Sequence, residues 1–595
     1  MALIFASSFL LYIGTLGNDY ALDDDVWIKK NTVTQQGLGG IKDIFTKPSL
    51  IGFNNLKDEQ YRPMPLLSFA IEKALFNNSP HAQHFMHLLY WGLTNVMLFL
   101  LLLKLFKNVS PLVPLAMTLF FTLHPIHSEV VCNIKSRDDM FVLLFGATSL
   151  WHLMNYLESK VSKRLWYSLL FFYMALTSKE NGFYALPFIV PLVVFTFTSF
   201  DIKTTLLKCV PFFGVFILLL IIRKAVLVNL TYTADIPIVN NSLKAAKTLS
   251  DMYATNMTMM GKSILLLIFP HPLSWDYSYN QFPIVSWGNV NALLSTAVYI
   301  ALIAYAAIKI WQKDVYAFCI LFFIITIIPT SNLIVKIQAS FAERFLFLPS
   351  LAFCIAIVLL LYQLFKKDPN TNKVNLLQPV SYVMAGIFVL YSYKAFTRAP
   401  EWKNNTTLFR AGLIAAPNSA RVHFAVASDY RTLGDSAKVA AEKPALYQKA
   451  LDEYYVGLKI YDQDAEVWYN MGVTYFSMGN AQKALEVYEK ALKLRPAYSM
   501  ALNNVGVIYF NSQKYDEALG YFLKSVQSDS TFADALGNTG AVYHNKGNYA
   551  QAIVYYEKAI QKNPFNRNVY ANMAKAYNSL GNKEKAAEYS QKAQQ

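Results

Sequence analysis

Cysteine is scarce. The 595-residue chain has 4, Cys132, Cys209, Cys319 and Cys354, each in or beside an apolar segment, and the last third has none. Neither a disulfide framework nor a thiolate zinc site can organise such a chain. The two-His-plus-Glu helix motif of zinc proteases is missing as well. The first apolar run, 3 to 16, lacks a basic stretch before it and a small-residue cleavage site after it, so an uncleaved span is expected rather than a removed signal peptide. No internal duplication precedes residue 400, which counts against a transporter or flippase built from two related halves.

Apolar residues are abundant. At 54% hydrophobic the chain is too greasy for an ordinary soluble enzyme, which points to a membrane protein. Its formal charge of +15 does not indicate a nucleic-acid partner, because the lysines and arginines fall in short loops between apolar runs and on helical repeats.

Eleven apolar runs follow one another, at about 2 to 17, 84 to 106, 111 to 124, 138 to 157, 165 to 178, 182 to 200, 206 to 222, 287 to 308, 315 to 333, 346 to 365 and 379 to 396. Short loops that would share one side carry Lys104 and Lys107; Lys160, Lys163 and Arg164; Lys203 and Lys208; Lys309 and Lys313; and Lys366, Lys367 and Lys373. The positive-inside rule makes that side cytoplasmic. The long loops 18 to 83 and 223 to 286, and the C-terminal region, then lie on the exoplasmic side. The stretch 244 to 269 has a helical pattern, but a crossing there would break the charge alternation, so an interfacial or re-entrant helix is expected.

From about Arg398 the hydropathy falls and a 34-residue period appears. Gly472, Gly506 and Gly540 recur at that spacing, as do Ala484, Ala518, Ala552 and Ala586, and the aromatic set Tyr488, Phe522 and Tyr556. This is the pattern of tetratricopeptide repeats, helical hairpins whose small residues let two helices approach closely. Tyr475, Tyr509, Tyr543 and Tyr577 are expected to fill the seam with the next unit. An irregular first unit begins near Val422, with an insertion near 435 to 446. The expected fold is all-α, with a polytopic domain over 1 to 398 and a repeat superhelix of about five units over 399 to 595. Such an array offers a groove for an extended peptide, or serves as a spacer or dimerisation arm.

Ionisable groups beside spanning helices are costly, so their placement is informative. They gather at the ends expected to be exoplasmic: Asp23, Asp24 and Asp25; Arg62; His84 and His87; His124, His127 and Glu129; Arg137, Asp138 and Asp139; Lys179 and Glu180; His271 and Asp276; Glu343 and Arg344. Helix caps and interface anchors account for any one of them. As a set they describe a polar chamber suited to a substrate with a lipid tail and a phosphate-linked head group, where arginine holds the phosphate and a carboxylate takes a proton from an incoming hydroxyl. A metal on His124, His127 and Glu129 is the competing reading, and Pro125 interrupts the helical geometry it would need.

Several segments in this order resemble the transmembrane and TPR repeat-containing protein family of GT-C-type O-mannosyltransferases. They are Tyr20-Ala21-Leu22-Asp23-Asp24, Tyr61-Arg62-Pro63, His124-Pro125-Ile126-His127-Ser128-Glu129, Arg137 with Asp139, Thr177-Ser178-Lys179-Glu180, 271 to 278 beginning His271-Pro272-Leu273-Ser274, 342 to 350 around Glu343-Arg344, and the junction 402 to 418. The resemblance covers almost the whole chain. It implies transfer of a sugar, mannose in the family, from a dolichyl- or undecaprenyl-phosphate donor to Ser or Thr hydroxyls of an exported protein held by the repeats, with no cofactor or divalent metal required. It places the catalytic base in Asp23-Asp24, with Asp24 preferred, although Leu22 and the third aspartate depart from the expected pattern. Arg344, then Arg137 and Arg62, are the phosphate ligands it suggests. Glu343, Asp139, His124, His127, Glu129, Lys179, Glu180, His271 and Asp276 are candidates for sugar or acceptor contacts.

The rival readings are a non-catalytic membrane scaffold for the repeats, a carrier of lipid-linked sugars, and a related transferase with an oligosaccharide donor or a polysaccharide acceptor. Short loops and a nearly bare N-terminus favour a bacterial inner membrane with periplasmic repeats; the alternative is the endoplasmic reticulum with luminal repeats. The sequon-like sites Asn229-Leu230-Thr231 and Asn256-Met257-Thr258 matter only in the second setting.

Overall fold

The computed structural model describes residues 1–54, 60–227, 236–367 and 378–594. Lys373, the site Asn229-Leu230-Thr231 and parts of the two long loops lie outside the described residues. The described residues are helical or irregular, with no strand among them. The chain divides into two compact units, Met1–Val422 and His423–Gln595.

In the first unit every apolar run forms a helix: Ala2–Leu11, Pro80–Leu105, Leu112–Leu123, Arg137–Ser159, Ser162–Leu176, Glu180–Phe197, Ile202–Leu227, Val290–Lys309, Val315–Ile327, Phe347–Leu364 and Pro379–Arg398. Among the described residues six helices are long and apolar enough to cross a membrane, or seven if Leu112–Leu123 and Pro125–Cys132, bent by 49°, act as one span. The shortfall against eleven runs is a matter of length and composition. At about 1.5 Å per residue, a helix such as Ala2–Leu11 reaches only about half of a core of about 30 Å. The helix Leu249–Ile268 is long enough but not apolar enough to join the six. Its first turn is closed reciprocally, Thr248 Oγ1 accepting the Asp251 N–H at 3.0 Å and donating to Asp251 Oδ2 at 2.8 Å. It packs on Val290–Lys309, where the Tyr299 hydroxyl donates to the Met260 carbonyl at 3.1 Å.

The described part of the first long loop has an apolar core of its own. Trp27, Ile28, Val33, Ile44, Leu50, Leu66 and Phe69 pack together with Ile134. Asn31 ties its turns, accepting the Val33 N–H at 3.1 Å and donating to the Ser49 carbonyl at 3.1 Å. The unit runs on past the fall in hydropathy near Arg398, because residues 405 to 421 are bonded back to it: Ser419 Oγ donates to Asp276 Oδ2 at 2.8 Å and the Ala420 N–H to the Tyr279 carbonyl at 2.6 Å.

The second unit is a row of helical hairpins. After an irregular first hairpin come Ala465–Ser477 with Ala481–Leu494, Ser499–Asn511 with Tyr515–Ser528, Ala533–Asn545 with Tyr549–Lys562, and Arg567–Ser579 with Lys583–Gln594. The glycines allow the close approach. A Cβ on Gly506 would sit 2.6 Å from the Phe522 ring, and one on Gly540 would sit 2.7 Å from Tyr556. The tyrosines expected in the seams divide into two roles. Tyr509, Tyr543 and Tyr577 stack on Tyr521, Tyr555 and Tyr589 of their own hairpins, with ring centroids 5.5 Å apart. Tyr475 instead meets the preceding hairpin, its hydroxyl 2.7 Å from that of Tyr455.

Candidate active site

The segment after the first helix turns sharply, with Leu22 at φ 50°. The Leu22 N–H donates to Asn405 Oδ1 at 2.8 Å, and Asn133 Nδ2 donates to the Ala21 carbonyl at 3.2 Å. This turn sends adjacent aspartates to opposite sides. Asp24 faces inward and is fully buried, its Oδ1 accepting the Lys135 N–H at 2.7 Å and its Oδ2 the Ala21 N–H at 3.1 Å. Burial pushes its carboxyl up to about 7, against the pull of those N–H groups. Asp23 faces outward, exposed, and acts electrostatically on Arg344 and Lys135. Asp24, the base preferred from sequence, is thus a loop anchor with both oxygens engaged, and Asp23 is the accessible carboxylate.

Arg344 lies in the first turn of the short helix Glu343–Leu346, which continues as Phe347–Leu364. Its guanidinium pairs with Glu129 through Nη1, and its backbone N–H donates to Glu129 Oε2 at 3.0 Å. The side chain stays 25% exposed, with the Phe345 ring 5.4 Å away. Glu129 is buried, so it positions Arg344 and leaves the other guanidinium N–H groups for a further anion.

Behind these groups lies a buried lattice of charge. Arg62 binds Asp138 at 2.7 Å and Glu180 at 2.6 Å; Lys135 binds Asp138 at 3.2 Å; Lys179 binds Asp138 at 3.1 Å and also Asp139; Arg223 lies 3.8 Å from Glu180. Asn181 completes Asp139, donating at 2.9 Å. Burial draws the Arg62 guanidinium down, and Glu180 and Asp138 more than offset it, so the group stays charged above its ordinary value. The lattice sets the cations Arg62, Lys135, Lys179 and Arg223 against the carboxylates of Asp138, Asp139 and Glu180, with Lys135 within electrostatic reach of Asp23.

The other two arginines suggested for phosphate are occupied. Arg62 is locked in the lattice, over the Trp27 ring at 5.2 Å. Arg137 is fully buried, donating to Glu72 at 2.6 Å and Ser68 Oγ at 3.0 Å, between the rings of Phe69 and Tyr90. Each tertiary contact consumes N–H groups that a phosphate would need.

Several sugar and acceptor candidates serve as braces. Glu343 is buried, accepting from the Tyr277 hydroxyl at 2.8 Å and from Arg398 Nη2 at 3.0 Å. Asp276 accepts from Ser278, Ser419 and Arg421, at 2.8 Å from the two serine hydroxyls. The two histidines do not converge on a shared point. His124 Nδ1 accepts the Ile126 N–H at 3.2 Å, so its Nε2 carries the hydrogen donated to the Leu267 carbonyl at 2.9 Å. His127 reaches Ser350 Oγ at 2.8 Å among the rings of Trp91, Phe121 and Phe347. Among the described residues no three His, Cys, Asp or Glu side chains form a metal-binding group. His271 is exposed, apart from these clusters of bonds.

Sequence reasoning passed over Lys135, Arg223, Glu72 and Arg398. Lys135, Arg223 and Arg398 meet the criterion used for the others, an ionisable group at the head or foot of an apolar run. Lys135 is the most consequential omission: its N–H fixes Asp24, its ammonium binds Asp138, and Asp23 lies within electrostatic reach.

Tetratricopeptide repeat profiles match residues 465–498, 499–528, 533–566 and 568–595. The chain is 22% identical over 448 residues to a protein O-mannosyl-transferase of Caenorhabditis elegans, an alignment covering 73% of this chain and 60% of that protein. It is 23% identical over 428 residues to protein O-mannosyl-transferase TMTC4 of Mus musculus, covering 64% and 57%. Over 517 residues it is 25% identical to protein O-mannosyl-transferase tmtc2 of Xenopus laevis, covering 70% and 58%. These relatives carry the family name that the ordered motifs suggested, and the chain spans about three-fifths of their length. Among solved structures it is similar to MamA, at 25% identity over 27% of this chain and 92% of that one with a TM-score of 0.24. It is also similar to YrrB, a TPR protein with an unusual peptide-binding site, at 19% identity over 31% and 90% with a TM-score of 0.26.

Proposed function

We propose that the chain is a multi-pass membrane O-mannosyltransferase of GT-C type, moving mannose from a polyprenyl-phosphate carrier to a Ser or Thr hydroxyl of an exported protein. The observation that carries the proposal is an accessible carboxylate, Asp23, within electrostatic reach of a partly open arginine, Arg344, beside a buried lattice of ion pairs.

Asp23 takes the proton of the acceptor hydroxyl as its oxygen bonds to the anomeric carbon. The bond from that carbon to the phosphate oxygen breaks, its electron pair leaves on the phosphate, and configuration at the carbon inverts. Arg344 receives the charge growing on the phosphate, with Glu129 fixing its plane, and Lys135 adds positive potential. Further support comes from an apolar cavity lined by Leu98, Leu102, Val142, Gly146, Leu186 and Leu351. Its Val142 and Gly146 stand one and two turns beyond Asp138 on one helix, so the apolar lining adjoins the charge lattice, as a lipid-linked head group would require. The repeats hold the acceptor in the same compartment. Short loops favour a bacterial inner membrane and its periplasm over the endoplasmic reticulum and its lumen.

The test is purified protein with a polyprenyl-phosphate mannose and a Ser/Thr peptide. Mannosylated peptide is expected from the wild type. Asp23→Asn is expected to lower kcat by about 10²–10⁴-fold, the range for losing a general base. Wild-type turnover in that variant refutes the assignment of Asp23, and no transfer from any polyprenyl-phosphate sugar refutes the activity. A scaffold would bind peptide and transfer nothing, and a carrier would move the lipid-linked sugar across the bilayer.

A further inference from the structure

The connection 331 to 342, between the helices that end at Thr330 and begin at Glu343, carries an apolar tip that the fold holds out of its core. Ile334 and Val335 are 77% and 65% exposed, between half-buried Leu333 and Ile337. Three apolar residues in a row at the tip of a loop are a liability in water.

Side-chain bonds build this exposure. Asn332, buried at φ 59°, ties the base of the loop: its Oδ1 accepts the Ile337 N–H at 2.9 Å, and its Nδ2 donates to the Ala339 and Ser340 carbonyls at 3.0 and 3.2 Å. Asn241, also buried, donates to the Ile337 carbonyl at 2.8 Å and to Asn332 Oδ1 at 2.9 Å. Ser331 Oγ accepts the Leu333 N–H at 3.2 Å. The bonds hold the tip outward and satisfy much of the loop backbone without water.

The helix leading into the loop indicates what surrounds the tip. Val315–Thr330 is apolar but rises only about 24 Å at about 1.5 Å per residue, against a hydrocarbon core of about 30 Å. Its Leu321, Ile324, Ile325 and Ile328 are half-exposed on one side at helical spacing, so a lipid-facing stripe runs up to the loop. A short crossing leaves the next residues still within the apolar layer. The peptide groups of 334 to 336 make no backbone bond among the described residues, which limits the depth to the boundary where head groups and water reach them. Lys336, exposed and next in the chain, has the reach to hold its ammonium at head-group level.

We propose that residues 333 to 337 form a membrane-docking wedge, with Ile334 and Val335 among the upper acyl chains of the leaflet that loop charge makes exoplasmic, completing the crossing that Val315–Thr330 leaves short. The placement needs only that the chain sits in a membrane. Where the proposed transfer holds, the same connection runs into Glu343–Leu346 and sets the height at which Arg344 meets a lipid-borne phosphate.

The experiment uses the full chain at one copy per lipid nanodisc, so that no second copy covers the tip. Ile334→Cys carries an environment-sensitive bimane label, and Lys592→Cys, exposed in the last repeat, carries the same label as the aqueous reference; the four native thiols are buried. An unchanged melting temperature verifies the fold of each. The label at 334 is expected to emit to the blue of the label at 592, to lose most of its quenching by aqueous iodide, and to be quenched by phospholipids bearing a nitroxide high on the acyl chain. Adding Val335→Asp, an exposed position with no packing to lose, is expected to restore iodide quenching at 334, because a carboxylate is driven out of the apolar layer. Iodide quenching at 334 equal to that at 592, shielding from both quenchers as under a covering protein segment, or no response to Val335→Asp overturns the proposal. Mannose transfer is measured separately. Lipid quenching without any transfer removes the catalytic reading and leaves the wedge standing, whereas transfer by a chain whose tip is in water does the reverse.

Discussion

Asp23 and Asp24 are chemically identical and adjacent, yet one turn of backbone gives them opposite fates. The family resemblance points to a base in this pair and prefers Asp24, but sequence does not show which carboxylate Lys135 and Ala21 capture with their N–H groups. The difference has a pH signature. The Asp24 carboxyl holds its proton up to about pH 7 in the folded chain, against about 4 when unfolded. A raised carboxyl binds more protons folded than unfolded in that interval, so its stabilising contribution is complete below about pH 4 and is lost as pH rises through 7. The full swing is at most about 4 kcal/mol. Melting temperature of wild type is therefore expected to fall between about pH 4 and 7 more steeply than that of Asp24→Asn, whose side chain does not titrate. Parallel pH profiles for the two proteins would mean that Asp24 is not held protonated by burial. Asp23→Asn, exposed and without a side-chain hydrogen bond to lose, is expected to leave the melting temperature nearly unchanged while lowering turnover about 10²–10⁴-fold.

Among the elements, the repeats test how far local rules fix a hairpin. The turn between the two helices carries Gly479, Gly547 and Gly581 at φ 78° to 79°, and the following Asn480, Asn548 and Asn582 accept an N–H of the second helix at 3.0–3.1 Å. The hairpin at 499 to 528 breaks both rules, with Gln513 at φ 59° and Lys514 making no side-chain cap. Gln513→Gly removes a left-handed non-glycine residue and Lys514→Asn supplies the cap, each worth about 1 kcal/mol. The double variant is expected to melt higher than wild type, and an unchanged or lower melting temperature contradicts this account. Gly506→Ala in the same hairpin is expected to cost about 1–3 kcal/mol by overpacking against Phe522. Such features were legible because the 34-residue period repeats them. The same period could not tell whether Tyr509 packs within its hairpin or across a seam, since either neighbour recurs at that spacing. In the first unit the helices were legible as apolar runs. Which charges bind each other was not: Arg62 with Glu180, or Arg398 with Glu343, join residues far apart in sequence, and only the packing of several helices selects the pairs.

At the scale of the molecule the proposed reaction requires one compartment for the carboxylate, the phosphate and the repeats. Loop charge predicts that compartment to be the exoplasmic one, on the rule that lysines and arginines in short connections stay cytoplasmic. The cysteine content makes the assignment measurable. All four native thiols, Cys132, Cys209, Cys319 and Cys354, are buried, so a membrane-impermeant maleimide meets little background. Lys30, Lys163 and Lys592 are exposed and outside the proposed machinery, and each is replaced singly by cysteine in intact cells or sealed vesicles. Lys30→Cys, a few residues past the acidic motif, and Lys592→Cys, in the last repeat, are expected to label from the exoplasmic side. Lys163→Cys, in a basic connection, is expected to label only after the membrane is opened. If the last repeat labels together with Lys163→Cys, a hydroxyl held by the array cannot reach Asp23. Transfer to an acceptor held by the repeats then fails, whatever the chemistry of Asp23 and Arg344 allows.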